Sequence, residues 1–147
     1  MIAADDMRAS AARVSAFYAR MTCADLARLG DIYAPNAYFR DPFNEVRGVP
    51  AIRAIFERMF DQLADCRFRV IETIANPGGA MMTWDMTFRF RRIRPDVLQT
   101  IHGATHLRFD TRGRVVYHRD YWDAAGELYA KLPLIGSLIR LLERRMG

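Results

Sequence analysis

Cysteine is scarce: Cys23 and Cys66 are the only two in 147 residues, and they form no C-x-x-C pair. That excludes a disulfide-stapled scaffold and a cysteine zinc site, and leaves free thiols of the kind cytosolic proteins carry. Histidine is nearly as rare. His102, His106 and His118 are spread along alternating runs without metal-ligand spacing, so no metal site is expected. There is no glycine-rich phosphate loop, so no cofactor is implied. No apolar run reaches membrane-spanning length, and the acidic start, Asp5-Asp6, lacks the apolar core of a secretion signal. The expectation is a cytoplasmic protein.

Charge is lopsided, with a formal net charge of +5 and a pI of about 9.7. The excess is almost wholly arginine, densest at 89–94 and at Arg140, Arg144 and Arg145. No predicted helix or sheet face is uniformly basic, and no RNP or helix-turn-helix pattern appears, so nucleic acid is not an expected partner. With 51% hydrophobic and 27% charged residues the chain is globular. Its length suits one domain with a real core.

What is present is periodicity. Met7, Ala11, Val14, Phe17, Tyr18 and Met21 recur at helical spacing over about 6–21, with Asp5 or Asp6 as cap. A second helix is expected at about 24–32, ending at Ala34-Pro35-Asn36. A short strand at 37–43 stops at Pro42, and 44–48 reads as loop. Pro50 opens a third helix whose stripe is Ile52, Ile55, Phe56, Met59, Phe60 and Leu63.

From Arg67 the period changes to two. Phe68, Val70, Glu72 and Ile74 share one face, and after the Asn76-Pro77-Gly78-Gly79 turn so do Trp84, Met86, Phe88 and Phe90. Thr100–Phe109 and Arg114–Trp122 form a hairpin about Asp110-Thr111-Arg112-Gly113. Two short helices at 124–131 and 134–145 follow, with Pro133 and Gly136 as breaks. The fold class is therefore α+β: a strongly curved antiparallel sheet whose concave face is covered by the N-terminal helices, in one domain over 1–147, with a helical extension at 124–147.

In the last strand Val116, His118, Asp120 and Trp122 share one face. An acid there is stripped of water, the setting in which an aspartate serves as general base near neutral pH. His118 lies within reach of the same ligand, or of Asp120 through a water. Asp41, before Pro42, is a second candidate base, against the simpler reading of a turn aspartate. Tyr18 stands on an apolar helix face with a hydroxyl to place. Tyr33, Phe56, Trp84, Met86, Phe88, Ile101, Thr105 and Trp122 are candidates for pocket lining. His102 and His106 fall on the opposite face. The apolar, basic tail from Leu128 to Met146 reads as a cover for the pocket mouth or a dimer contact, with a membrane-surface anchor as the weaker alternative.

Several segments carry a family likeness: Tyr18, Ile32–Pro42, Arg47–Arg53, His106–Val116 and His118–Asp123. On these the chain resembles the nuclear transport factor 2-like superfamily, in its ketosteroid isomerase-like and SnoaL-like branch, and the resemblance covers a core at about 8–123. The resemblance implies a cystatin-like α+β barrel with a cone-shaped pocket between sheet and helices. It implies a proton-shuttling aspartate at Asp41, an oxyanion-donating tyrosine at Tyr18, and, in cyclases and limonene epoxide hydrolases, an acid at Asp120. Thr105 stands where ketosteroid isomerases carry a second, acidic donor. The hydrolases' Arg-x-Asp pair has no clear counterpart, because the parity of Asp85 turns it away from the Trp84 face. The superfamily commonly dimerises through the outer face of its sheet, where Tyr117, His102 and Ala104 fall. The implied function is a pocket for a hydrophobic small molecule in a homodimer, with cofactor-free proton transfer next to a carbonyl by Asp120 or Asp41. The alternatives are a non-catalytic binder of such a molecule and a dimeric scaffold.

Overall fold

The computed structural model describes residues 3–129 and 133–147. Its elements run α1 (Ala4–Arg20), a 3-10 turn (Cys23–Arg28), α2 (Leu29–Ile32), β1 (Tyr33–Arg40), β2 (Glu45–Arg47) and α3 (Val49–Gln62). Then come β3 (Leu63–Asn76), β4 (Gly79–Phe90), β5 (Gln99–Phe109), β6 (Val115–Tyr121), α4 (Ala124–Glu127) and α5 (Pro133–Met146). The six strands form one curved, unclosed sheet in the order β2-β1-β6-β5-β4-β3. All neighbours are antiparallel except β1 and β6, which run parallel.

α1 buries Met7, Ala11 and Val14 against β3, β4 and β5. α3 buries Ile52, Ile55 and Phe56 against the β1 side. Helices on the concave face and long alternating strands under them give the α+β layering expected from the pattern. Two buried clusters result. The larger joins α1, α3 and the sheet's middle; the smaller is Trp84, Phe88 and Ile101 at the other end of β4 and β5. No helix among the described residues is long and apolar enough to cross a membrane.

Several local expectations are corrected. Ala3, not Asp5 or Asp6, is the N-cap of α1, and it makes no side-chain cap bond. The two acids lie in the first turn, where they face the positive end of the helix dipole. The second helix splits into the 3-10 turn and α2. Thr22 and Asp25 start it as a reciprocal capping box, Thr22 N–H to Asp25 Oδ2 at 2.8 Å. β1 begins at Tyr33 and carries Pro35 and Asn36 through an irregular stretch of its pairing with β6. Glu45–Arg47, read as loop, pairs with β1.

β3 starts at Leu63 rather than Arg67. It has two bulges, one of them at Asp65, where φ is 55°. The other leaves Ile71 without an opposite residue, so Ile71 and Ile74 face solvent while Ala75 packs on the core. A bulge at Val116 does the same in β6: Val115, not Val116, is fully buried beside Phe109. One inserted residue reverses facing, which simple alternation does not foresee.

In the tail, Pro133 opens α5 instead of breaking it, because the first turn needs no N–H from that residue. Gly136 lies inside the helix. Leu132 and the side chains of Ile135 and Ile139 lie outside the described residues. Leu138, Leu141, Leu142 and Met146 are exposed.

Candidate functional site

The curvature of β3–β6 leaves a cavity of about 400 Å³ between the sheet, α1 and α3. Its wall is mostly apolar. Phe56 comes from α3, Trp84, Met86 and Phe88 from β4, and Ile101 from β5. Trp122 and Leu128 close one side, with Phe43 edge-on to Trp122 at 5.5 Å between ring centres. Burial pushes the thiol of Cys66, also in the wall, above its ordinary range. Exposed Arg58 and half-buried Asn44 stand at the rim, joined by an Arg58 Nη2–H to Asn44 Oδ1 bond of 3.3 Å.

The polar groups of the wall converge on one place. Asp120 points inward from β6, with 18% of its side chain exposed. Its Oδ1 takes two bonds: from Thr105 Oγ1 at 2.6 Å and from Nε2 of His118 at 2.7 Å. Oδ2 has no hydrogen-bond partner among the described residues and is not a fully buried atom. Thr105 in turn accepts from Trp84 Nε1–H at 2.8 Å, so an apolar-looking tryptophan braces the acid at one remove. His118 is buried among the rings of Phe39, Tyr18 and Tyr33. Its other nitrogen, Nδ1, lies 2.8 Å from Tyr33 Oη, and the Tyr33 hydroxyl is hydrogen-bonded to that of Tyr18. The result is one chain: Tyr18, Tyr33, His118, Asp120, Thr105, Trp84.

Burial, opposed by the Tyr33 bond and aided by the charge of Asp120, drives the Tyr18 hydroxyl far above the usual phenol range. Burial, then Tyr18 and Asp120, does the same to Tyr33. Both remain neutral donors at any physiological pH.

Of the residues singled out from the sequence, Tyr18, Asp41, His118 and Asp120 all line the cavity. The seven lining candidates other than Tyr33 do so as well. Tyr33 is fully buried one layer behind the wall. Asp41 stands at the rim with its carboxylate occupied: Oδ1 accepts from the N–H groups of Phe43 (2.8 Å) and Asn44 (2.7 Å) and from Asn44 Nδ2 (3.0 Å). Asp85 lies on the outer face, bonded to His102 and to Arg69 Nη2 at 3.0 Å. His106 is on that face too, against Tyr117. Among the described residues no group of three His, Cys, Asp or Glu side chains could hold a metal ion.

Sequence reasoning missed Gly103. It sits opposite Trp84 on the inward face of β5, where a Cβ would lie 2.5 Å from the indole ring. Glycine leaves room for that ring where it bonds Thr105. It also missed the direct His118–Asp120 contact, although their i, i+2 spacing on one strand face was the available signal.

An unclosed curved sheet with helices over its concave side defines the nuclear transport factor 2-like, ketosteroid isomerase-like fold. The SnoaL-like domain family matches residues 14–118, and the chain belongs to it. Among similar solved structures is a protein from Catenulispora acidiphila with a ketosteroid isomerase-like fold, in complex with trimethylamine. It has 16% identity and a TM-score of 0.71, over 82% of this chain and 92% of that one. AclR from Streptomyces galilaeus has 21% identity and a TM-score of 0.69, over 88% and 99%. An NTF2-like protein of unknown function from Exiguobacterium sp. 255-15 has 16% identity and a TM-score of 0.65, over 78% and 98%. At such identities the likeness is one of fold. No curated protein matches the chain.

Proposed function

We propose that the cavity holds a small apolar ketone and that Asp120 moves a proton at the carbon next to its carbonyl, without a cofactor. The observation that carries this reading is the state of the Asp120 carboxyl. Thr105 and His118 fix one oxygen of a side chain that lines the cavity, and the other oxygen has no hydrogen-bond partner among the described residues. A carboxyl held by one oxygen keeps its orientation and leaves the second free to take a proton from carbon. Tyr18, neutral and in the same wall, is the group placed to hydrogen-bond the developing enolate oxygen, and an apolar surround strengthens that bond. Asp41 is the poorer base, since three donors already claim its Oδ1.

The test is hydrogen–deuterium exchange at the α-carbon of 2-tetralone in D2O, followed by proton NMR. Exchange is expected to be faster with the protein than without it. Asp120→Asn should lose on the order of 10²–10⁴-fold of that acceleration, the usual contribution of a positioned base, while Asp41→Asn keeps most of it. Equal exchange by the wild type and Asp120→Asn would refute the assignment. Binding of 2-tetralone without any acceleration would favour the non-catalytic binder.

A further inference from the structure

Behind Tyr18, whose side chain lines the cavity, the hydrogen-bond chain through Tyr33 to His118 and Asp120 admits two proton orders. In the first, Nε2–H of His118 donates to Asp120 and Nδ1 is bare. Nδ1 then accepts from Tyr33 O–H, Tyr33 accepts from Tyr18 O–H, and Tyr18 shows the cavity a lone pair. In the second, Nδ1 also carries a proton. Each of those bonds reverses, and Tyr18 shows the cavity its O–H. The two orders differ by one proton, and every member of the chain stays bonded in both.

We propose that an acidic hydroxyl in the ligand, an enol or a phenol, is held in this cavity as its oxyanion, with its proton lodged on Nδ1 of His118. The ligand O–H bond breaks as an O–H bond forms on Tyr18. The original Tyr18 proton passes to Tyr33, and that of Tyr33 passes to Nδ1. Nothing is oxidised or reduced, and only one proton is displaced in net terms. The products are an oxyanion accepting from Tyr18 and an imidazolium bonded to the Asp120 carboxylate 2.7 Å away. A buried cation beside a carboxylate is a compensated one.

His118 is the member that keeps the proton. Burial holds both tyrosine hydroxyls protonated, so they pass protons on without resting as tyrosinates. The titratable groups facing the ring are Tyr18 from α1, Tyr33 from β1 and Asp120 from its own strand. The residue opposite it on β5 is Leu107, and Phe39 of β1 packs on it at 4.5 Å. Tyr33, which has no place in the wall, is on this account the positioning residue that joins ligand to imidazole. The inference rests on the pocket reading above and names its ligand class, but it needs no turnover.

The test uses 4-nitrophenol and the full chain with ¹⁵N-labelled histidine, at a pH where the free phenol is un-ionised. The bound phenol is expected to absorb as phenolate. Both ring nitrogens of His118 should move to imidazolium shifts while His102 and His106 stay put. Tyr33→Phe should bind 4-nitrophenol with only a small change in affinity and leave it un-ionised. His118→Gln, which breaks the same chain further in, should do likewise and serves if Tyr33→Phe fails to fold. Wild-type protein that binds the phenol un-ionised, or either variant ionising it as fully as wild type, would overturn the relay and leave the pocket reading standing. Failure to bind either 4-nitrophenol or 2-tetralone would sink both.

Discussion

Replacing Thr105 by valine removes one hydroxyl and almost nothing else, so it measures what holds Asp120 in place. Thr105 is 2% exposed and its hydroxyl makes two bonds, accepting from Trp84 Nε1–H at 2.8 Å and donating to Asp120 Oδ1 at 2.6 Å. Valine fills the same space, so no cavity term arises. The indole N–H, in a residue 4% exposed, is left without its acceptor, at a cost of about 1–3 kcal/mol for a buried unsatisfied group. The bond to the carboxylate is worth about 1.5–3 kcal/mol, of which the surviving His118 bond retains part. A net loss of about 3 kcal/mol, divided by a urea m-value near 2 kcal/mol/M, lowers the midpoint by about 1.5 M. Urea unfolding followed by far-UV circular dichroism reads this directly. In a Trp84→Phe background the same substitution should cost about 1 kcal/mol less or better, because the orphaned N–H is already gone. A midpoint shift under about 0.3 M in both backgrounds would mean that the hydroxyl does not bridge the two side chains, and the bracing of Asp120 would have to be abandoned.

Gly103→Ala places a Cβ 2.5 Å from Cη2 of Trp84 and 3.1 Å from Cβ of Trp122, so it should destabilise by about 1–3 kcal/mol as an overpacked site and shift the tryptophan emission. Unchanged emission and stability would contradict the close approach. His102, then Arg69, hold the Asp85 carboxyl below its ordinary range. Asp85 therefore stabilises the fold above about pH 4, the unfolded value, and that contribution disappears as pH falls through the lower folded value. Asp85→Asn should flatten the acid limb of stability against pH, read from urea midpoints across that range. Burial raises the Tyr18 and Tyr33 hydroxyls. Their contribution is complete below about pH 10 and declines as pH climbs toward the folded values. Absorbance at the tyrosinate band should show these two of the six tyrosines ionising only with unfolding, and Tyr33→Phe should soften the alkaline loss of stability.

The legible parts of this protein are those written in local period. The stripes of α1 and α3 and the Trp84–Phe88 face could be read because each repeats within one element. Asp120 and His118 could be put together because two residues of one strand share a face until something interrupts the pleat. The bulges at Ile71 and Val116 are such interruptions, and no composition marks them: a valine beside a valine in β6 looks like strand either way. They show only in the register with the partner strand: Phe109 pairs with Val115 and Arg108 with Tyr117, while Trp84 pairs with Val70 and Thr83 with Glu72. Long-range chemistry was hidden for the same reason. Tyr33 and His118 are 85 positions apart, and the parallel β1–β6 pairing that joins them is set by the assembly of the whole sheet, not by either segment alone. That pairing is also what separates a pocket with an acid in it from a connected proton path. Antiparallel neighbours alone put Thr105 beside Asp120. Only the parallel strand delivers a hydroxyl to the far nitrogen of His118, so disrupting β1 at Tyr33 should uncouple Tyr18 from Asp120 while leaving the Thr105–Trp84 brace in place.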